Sequence, residues 1–373
     1  MLSQQAEQIS RPSFAGAMML GRVIIHRDVA AILSAALCLS LSIITPTAAS
    51  SKIESVGIPI IPWISRQDRA GKDKLNDLAF GTERAIALRH LLKALISGDE
   101  TTALTHGEQG GFKIFSFKRE TDYVFGITDD IRPDEGPTII LNPQATKDLI
   151  AGAPHPSNEN GTFQQAVLLV TGTGARAAII AGAHRCASRT FVSCDGRTPT
   201  CGAYEAYRTS DVAHSPRSLF HVAHKVLAMA WPRSIILSLH GMRTDRKGVR
   251  TSVILSNGIK NTDANKNTAA SRLRVAMTAM LPVEGAVVSC NLSTDRQHKF
   301  RQLCGTTNVQ GRMINGDDDV CHGSVYNGTG RFIHIEQDRK VRNLFVDHWR
   351  NVTGNDFINK YLAVIGSVAP AVR

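Results

Sequence analysis

The 373-residue chain lacks the short motifs by which several protein classes are recognised. It has no Gly-x-Ser-x-Gly segment, no His-Glu-x-x-His segment and no calcium-binding loop of the EF-hand type. The run Thr171-Gly172-Thr173-Gly174 lacks the lysine of a nucleotide-binding P-loop and follows a predicted helix rather than a strand. These absences argue against nucleophile-elbow hydrolases, peptidases of the His-Glu-x-x-His type, EF-hand proteins and P-loop nucleotidases.

Aromatic residues are few, at 6% of the chain, whereas basic residues give a formal net charge of +11. The basic residues are scattered, without a lysine-rich tail or an arginine stripe interleaved with aromatic residues. No nucleic-acid partner is therefore expected. A positive field of this kind attracts acidic molecules, and an anionic polymer or an acidic peptide fits it equally well.

Long hydrophobic runs are scarce too. Residues 29–44 are apolar and uncharged, but this run is shorter than the roughly 20 residues that a membrane span needs. Arg22 and Arg27 precede it, and small residues follow it as far as Ala49. Basic, then apolar, then small residues are typical of a secretory signal peptide.

We therefore predict that residues 1–49 are a signal peptide, with Met18 or Met19 as alternative starts. An uncleaved N-terminal anchor is the competing interpretation of the same segment. In both cases the rest of the chain is exported, so we expect a secreted protein, periplasmic or extracellular. After cleavage we expect no stable membrane insertion.

The chain has no Cys-x-x-Cys pair, the usual spacing of a cysteine zinc site. Cys38 lies in the predicted signal peptide, and the other cysteines form one trio within residues 186–201 and another within 290–321. An even number of cysteines in an exported chain predicts up to three disulfides, whose pairing the spacing leaves open. The clustering suggests that they staple two long loops.

Strand-like apolar runs alternate with helical patterns along the chain. Such alternation favours an α/β fold with three layers, in which helices cover both faces of a mixed, largely parallel sheet. Ligands of such sheets bind beyond the carboxyl ends of the strands. The predicted strands are residues 123–127, 138–141, 177–181, 234–239, 251–255, 286–289 and 331–335, and the predicted helices are residues 162–170, 216–230 (capped by Ser215), 268–280, 338–350 and 357–364.

Residues with metal-ligand chemistry lie at strand ends and in loops. His155 and Glu159 are four residues apart in a segment of Pro, Ser, Asn and Gly that is typical of a turn. His240 follows one apolar run, and Glu336 closes another. Two imidazoles and one carboxylate make the ligand set of a catalytic zinc ion with an open fourth position, so we predict zinc bound by His155, Glu159 and His240. Glu336 is then the candidate general base for the attacking water.

Each of these residues also has a simpler interpretation. His155 and Glu159 fit a solvated turn, His240 fits a histidine at the end of a core strand, and Glu336 fits a surface residue paired with Arg339.

Further polar residues are candidates for substrate binding. Asp211 and His214 precede a predicted helix and are suited to orienting a substrate or a metal ligand. His221 and His224 share a face of that helix and together could bind a metal ion, although histidines at this spacing more often lie on an amphipathic surface. A glycine-bearing loop within the second cysteine trio presents side chains suited to a carboxylate; these are Gln310, Arg312 and Asn315.

Taken in order, these segments resemble the N-formylglutamate amidohydrolase and poly-γ-glutamate hydrolase group over roughly residues 150–345. The resemblance rests on the His-x3-Glu loop, a strand ending in His184-Arg185, another ending in Leu239-His240-Gly241, a glycine-rich loop and a strand ending in Glu336. It implies a fold similar to zinc carboxypeptidases, the zinc ligands and base named above, and Arg185 as a catalytic residue that engages a substrate carboxylate or polarised carbonyl. This chain differs from the polyglutamate enzymes after His155, where it has Pro-Ser-Asn and those enzymes tend to have glycines.

The expected function is therefore that of an exported zinc-dependent amidohydrolase or peptidase, with residues 50–373 as a single catalytic domain. Its substrate would be a small peptide, an amino-acid amide or an anionic polymer. A non-catalytic exported module that binds an acidic polymer is the competing hypothesis, and the two differ in whether the chain holds close to one zinc ion.

Overall fold

A large mixed β-sheet runs through the chain between two layers of helices. The computed structural model describes residues 52–78, 80–119, 122–243, 251–260, 268–281, 285–290, 303–351 and 356–372. The strands are β1 Glu54–Ser55, β2 Phe112–Lys118, β3 Tyr123–Asp129, β4 Thr138–Leu141, β5 Lys147–Ala153, β6 Ala175–Ile180, β7 Arg197–Thr198, β8 Glu205–Ala206, β9 Ile235–Gly241, β10 Thr251–Ser256, β11 Ala286–Ser289 and β12 Phe332–Gln337. The helices are α1 Ile60–Ser65, α2 Thr82–Ser97, α3 Glu100–Gly110, α4 Thr162–Thr173, α5 Leu219–Ala230, α6 Ala269–Met280, α7 Val309–Ile314, α8 Arg339–Asn351 and α9 Asp356–Val368.

The main sheet has the strand order β1-β2-β3-β4-β6-β5-β9-β12-β10-β11. Its middle, from β6 through β5 and β9 to β12, is parallel. Antiparallel pairings join β2, β3, β4 and β6 on one side and β12 and β10 on the other. The expectation of an α/β fold with a mixed, mostly parallel sheet is thus confirmed.

Two hydrophobic clusters pack on opposite faces of this sheet, as the alternation of side chains along a strand requires. In β5, Ile150 packs with α2 and α5, whereas Ala151 packs with α4 and α9. In β9, Ile236 and Leu237 divide in the same way. The central strands are buried on both faces, which explains why they read as continuous apolar runs.

All seven predicted strands and all five predicted helices are present, with end points shifted by a few residues. Nine elements of the structure correspond to no predicted segment; they are β1, β2, β5, β7, β8, α1, α2, α3 and α7. The missing β5 matters most, because it delivers His155 to the edge of the sheet. This strand has the sequence Lys-Asp-Leu-Ile-Ala-Gly-Ala. Lys, Asp, Ala and Gly are uncommon in strands, so the segment gives a weak strand signal outside its tertiary context.

The start of α5 was also predicted wrongly. The helix begins at Leu219, and its N-cap is Ser218, whose Oγ accepts a hydrogen bond from the amide of His221 at 3.1 Å. Ser215 and Pro216 therefore lie in a turn before the helix. The Ser-Pro pair predicts a helix start because proline is common at the first helical position, but here it belongs to the preceding turn.

Disulfides join Cys186 to Cys201, Cys290 to Cys304 and Cys194 to Cys321. The first two staple local loops, as expected, and the third connects one trio to the other. Three disulfides are typical of proteins that mature in an oxidising compartment. Within the described residues, no helix is both long enough and apolar enough to span a membrane. The predicted signal peptide and Cys38 lie outside the described residues.

Candidate metal centre

The predicted ligands meet at the carboxyl edge of the parallel strands. β5 ends at Ala153, two residues before His155, while His240 and Glu336 lie within the last two residues of β9 and β12. In the pairing of those two strands, Glu336 stands directly beside His240. Arg185 follows β6 by five residues and reaches the same edge. Parallel strands with polar carboxyl ends thus bring distant parts of the chain together.

A tight turn places Glu159 beside His155. The carbonyl oxygen of His155 accepts hydrogen bonds from the amides of Asn158 and Glu159, at 3.1 and 2.8 Å. Gly161 then adopts a φ of +100°, and a Cβ at that position would lie 2.6 Å from the carbonyl oxygen of Arg342. Glycine is therefore required by both the backbone conformation and the close approach of α8. Glu159 Oε1 consequently lies 2.9 Å from His155 Nδ1.

Both histidines direct the same ring nitrogen towards the carboxylate of Glu159. His240 Nδ1 lies 3.5 Å from Glu159 Oε2, matching the contact that His155 Nδ1 makes with Oε1. The opposite nitrogens are held by the protein: His155 Nε2 contacts Asp211 Oδ1 at 2.8 Å, and His240 Nε2 contacts Ser238 Oγ at 2.9 Å. An outer partner that orients the ring of a ligating histidine is typical of metal sites.

This geometry fits a metal ion. One potential ligand atom from each of His155, Glu159 and His240 lies within 4.8 Å of the other two, and all three residues are buried. Two imidazole nitrogens and one carboxylate oxygen satisfy the donor preferences of zinc and leave a fourth position open. The structure therefore brings together the three residues predicted as ligands.

The charges of the site are set by its burial and its ion pairs. Burial would raise the pKa of Glu159, but His155 and His240 beside it hold that pKa well below its usual range. Burial lowers the pKa of His240 to about 4, so its ring is neutral and can donate a lone pair. Burial and Arg185 act to lower the pKa of His155, but Glu159 and Asp211 outweigh them and raise it.

Arg185 lines the cavity and is held by two acidic residues of the site, Asp211 and Glu159. Its Nε and Nη2 donate to Asp211 Oδ2 at 3.0 and 2.6 Å, and its Nη1 donates to Glu159 Oε1 at 3.3 Å. Burial would raise the pKa of Asp211, but Arg185 and His155 hold it far below its usual range. The geometry thus gives Arg185 a role in orienting Asp211 and Glu159, and its expected contact with the substrate stays a prediction.

Glu336 lies beside a histidine that the sequence analysis left without a role, His334. His334 Nε2 is 3.2 Å from Glu336 Oε1, and the rings of His334 and His240 are 4.3 Å apart, centre to centre. Within the described part of the chain, Glu336 Oε2 and His334 Nδ1 are buried without a hydrogen-bond partner. The signal was available in the sequence, because polar residues at alternate positions of an apolar strand mark one polar stripe.

These residues line a cavity of about 930 Å³. His155, Glu159, His240, His334 and Glu336 all contribute to its wall. The volume is within the range of small-molecule and cofactor sites.

His214, a predicted substrate-binding residue, also lines this cavity. Its ring stacks on Tyr207 with 3.5 Å between centroids, and its Nδ1 lies 3.0 Å from the carbonyl oxygen of Thr307. Burial lowers the pKa of His214, so its ring is neutral at physiological pH. Its position is therefore compatible with the substrate contact that the sequence predicts.

The other predicted substrate-binding residues do not line the cavity. Asp211 is buried behind His155 and Arg185. Arg312 binds both carboxylate oxygens of Asp195, with contacts at 2.8 and 3.1 Å. Its guanidinium group is therefore part of an ion pair that links two loops. The amide nitrogens of Gln310 and Asn315 donate to the carbonyl oxygens of Val212 and Asn257, both at 2.8 Å. These side chains stabilise the loop, and the expectation of direct substrate contacts is not supported.

His221 and His224 are buried in α5, and not on an amphipathic surface as the spacing suggested. Burial lowers their pKa values to about 3 and about 4. His224 Nδ1 contacts the carbonyl oxygen of Phe220 at 2.9 Å. They pack as neutral core residues.

Comparison of the chain with models of protein families and with curated proteins finds no match in either case.

Proposed function

We propose that the protein is a zinc-dependent hydrolase that cleaves an amide or peptide bond in a carboxylate-bearing substrate. The observation that carries this proposal is the convergence of His155 Nδ1 and His240 Nδ1 on the buried carboxylate of Glu159, at the wall of a cavity. His155, Glu159 and His240 would hold the ion. Bound zinc polarises a carbonyl group and lowers the pKa of a water molecule.

The protein side chains divide the remaining work. Asp211 fixes the orientation of His155 and balances its charge, whereas Ser238 orients the neutral ring of His240. Arg185 holds Asp211 and Glu159 in place, so that neither carboxylate swings away from the site. Rigid ligands of this kind favour a defined coordination geometry.

Glu336 is suited to be the general base. Its Oε1 contacts His334, whereas its Oε2 has no hydrogen-bond partner among the described residues. The residue lines the cavity and belongs to the strand pair that also carries His240. A carboxylate with one fixed and one free oxygen can accept a proton from the attacking water and return it to the leaving amine. The position of Glu336 beside His240 supports its proposed role at the metal centre.

The cavity wall supports an acidic substrate. It includes the cationic side chains of Arg197, Arg243 and Lys260, which are exposed, in addition to Arg185. The carboxylates on the wall are Glu159 and Glu336, and Glu159 already contacts two histidines and an arginine. These three exposed cations would thus attract a substrate carboxylate. Arg185 would contribute less, because its guanidinium group is already paired with Asp211.

Zinc analysis together with a base-removing variant tests this function. The purified protein should hold close to one tightly bound zinc ion, and His155→Ala should lose most of it. Glu336→Gln should keep that zinc and its fold but lose about 10²–10⁴-fold in turnover on a glutamyl amide, because general-base catalysis contributes this much. Glu108→Gln, on the exposed part of α3, is the matched control.

Parental turnover in Glu336→Gln would contradict the proposed mechanism. A protein that binds no zinc at all would contradict the hydrolase assignment itself. The cationic cavity wall favours the second candidate in that event, a non-catalytic module for an acidic polymer, and binding of polyglutamate without hydrolysis would support it.

A further inference from the structure

Four polar side chains form a two-by-two array on β9 and β12. Ser238 and His240 alternate along β9, and His334 and Glu336 alternate along β12. The parallel register places Ser238 beside His334 and His240 beside Glu336, so all four lie on one face of the sheet. The intervening residues pack in the core on the opposite face; they are Leu237, Leu239, Ile333 and Ile335.

Two atoms of this array are buried but unsatisfied by the described residues. Glu336 Oε2 and His334 Nδ1 have no hydrogen-bond partner, although the two side chains are only 8% and 5% exposed. Buried polar atoms are nearly always paired, because their loss of water must be compensated. The cluster therefore has unused hydrogen-bonding capacity on both side chains, and the His334 nitrogen nearest to Glu336 is Nε2, at 3.2 Å from Oε1. A bound cation would compensate the buried carboxylate of Glu336.

We propose that His240, His334 and Glu336 form a second divalent-metal site, separate from the His155–Glu159–His240 site and sharing His240 with it. One potential ligand atom from each residue lies within 4.8 Å of the other two. Two imidazoles and a carboxylate are again donors that zinc prefers. The chemical class of the ligand is thus a borderline-soft divalent cation such as zinc.

His240 can serve both sites because its two nitrogens face different ways. Nδ1 lies 3.5 Å from Glu159 Oε2, in the first site, whereas Nε2 lies 2.9 Å from Ser238 Oγ. Ser238 is the strand neighbour of His334, so Nε2 is on the side of the second site. To bind one ion through each nitrogen, His240 must release its remaining N–H proton to solvent and give up its contact with Ser238; the resulting imidazolate then links the two positions.

The second site should be the weaker one. In the first site, the amide of Gly241 donates to Glu159 Oε2 at 2.9 Å, and Asp211 holds His155 from behind. In the second site, the described residues give His334 no carboxylate contact other than Glu336 itself. An ion already bound nearby also repels a second cation. We therefore expect occupation of the second site only at higher free metal concentration.

Occupation of the second site has a functional consequence that rests on the proposed function. A metal ion bound to Glu336 would engage the carboxylate that otherwise accepts the proton of the attacking water. The roles of Glu336 as ligand and as base exclude each other. Excess zinc should therefore slow hydrolysis, so that the second site would be an inhibitory metal site.

Titration of the metal-free protein with zinc, followed by calorimetry, tests the site without any assay of activity. The parental protein should show two binding steps, and His334→Gln should lose the weaker step while keeping the tighter one. Glutamine retains an N–H donor for Glu336 but is a poor zinc ligand. His322→Gln is the control for adventitious binding, because His322 is an exposed histidine that also pairs with a carboxylate, Asp319.

A single binding step in the parental protein would overturn the proposal, and so would a His334→Gln variant that keeps both steps. Loss of the tighter step in His334→Gln would also overturn it, since His334 would then belong to the main site. If His334→Gln does not fold, the parental titration and that of Glu336→Gln still decide the outcome.

The proposed function can fail separately. His155→Ala should abolish the tighter step, and the parental protein should lose hydrolysis rate as zinc rises beyond one equivalent. Two binding steps without any hydrolysis would retain the second site and refute the hydrolase.

Discussion

At the scale of single residues, the site is organised around the carboxylate of Glu159. That carboxylate contacts His155 through Oε1 and His240 through Oε2, and it also accepts hydrogen bonds from Arg185 and the amide of Gly241. A buried carboxylate stays ionised only when such partners compensate for its lost hydration. The residues behind the ligands are therefore as important to metal binding as the ligands themselves.

Asp211→Asn tests this arrangement. Asparagine keeps the size of the side chain and can still accept a hydrogen bond from His155 Nε2, but it removes the charge that holds Arg185 and His155. Zinc affinity should fall about 10–100-fold, as is usual when the outer partner of a ligating histidine is changed. Competition with a chelator measures this affinity. Unchanged affinity would show that Asp211 does not orient His155.

Arg185→Lys should behave in the same direction, because lysine cannot reproduce the paired contacts with Asp211. Its effect should appear in zinc affinity and kcat. A rise in KM alone would instead show that Arg185 contacts the substrate.

Zinc binding should also depend on pH. Because Glu159 and Asp211 raise the pKa of His155, its ring holds a proton at higher pH than an ordinary histidine does. Zinc must displace that proton, so affinity should rise as pH increases from about 6 to about 8, with release of a proton on binding. Calorimetry in buffers of different ionisation enthalpy measures the released proton. Equal affinity at both pH values would contradict the coupling.

At the scale of elements, the strand register and the helix starts determine which residues face the cavity. The pairing of β9 with β12 places His240 beside Glu336, and a shift by one residue would send both stripes to the opposite face. α5 packs on the face of the sheet that bears these polar residues. The exact start of α5 matters because the segment just before it carries Asp211 and His214.

Ser218→Ala should destabilise the protein by about 0.5–2 kcal/mol, because the amide of His221 would lose its capping partner. Ser215→Ala is the comparison that separates the observed cap from the predicted one. Chemical denaturation of both variants measures the effect. A larger loss in Ser215→Ala would place the helix start where the sequence suggested it.

At the scale of the whole molecule, one disulfide ties together the two loop regions that flank the cavity. Cys194 and Cys321 are 127 residues apart in sequence, and Arg312 binds Asp195 close to this bridge. The Cys290–Cys304 bridge spans only 14 residues. Cross-links that close long loops restrict the unfolded chain more than those that close short ones.

Replacing Cys194 and Cys321 together by serine should therefore lower stability by about 2–5 kcal/mol. The matched pair Cys290→Ser and Cys304→Ser should cost less. Thermal and denaturant unfolding of the two double variants measure the difference. An equal cost for both pairs would show that loop length is not the deciding factor.

The local features of the fold and of the site can be predicted from the residue types alone. The alternation of apolar runs and helical patterns established the α/β class, and the turn chemistry around His155 and Glu159 predicted their proximity, since four residues of a turn span a short distance. The placement of His240 and Glu336 at strand ends followed from the same local pattern. Such features depend on neighbouring residues, which the sequence displays directly.

The tertiary structure alone decided the contacts between distant segments. The pairing of Arg185 with Asp211, the use of Arg312 to bind Asp195, and the position of His334 beside Ser238 all depend on how strands and loops meet in space. The pairing of the cysteines also depends on how distant segments meet in space. Contacts of this kind arise from register and packing, and residue types along the chain do not specify them in advance.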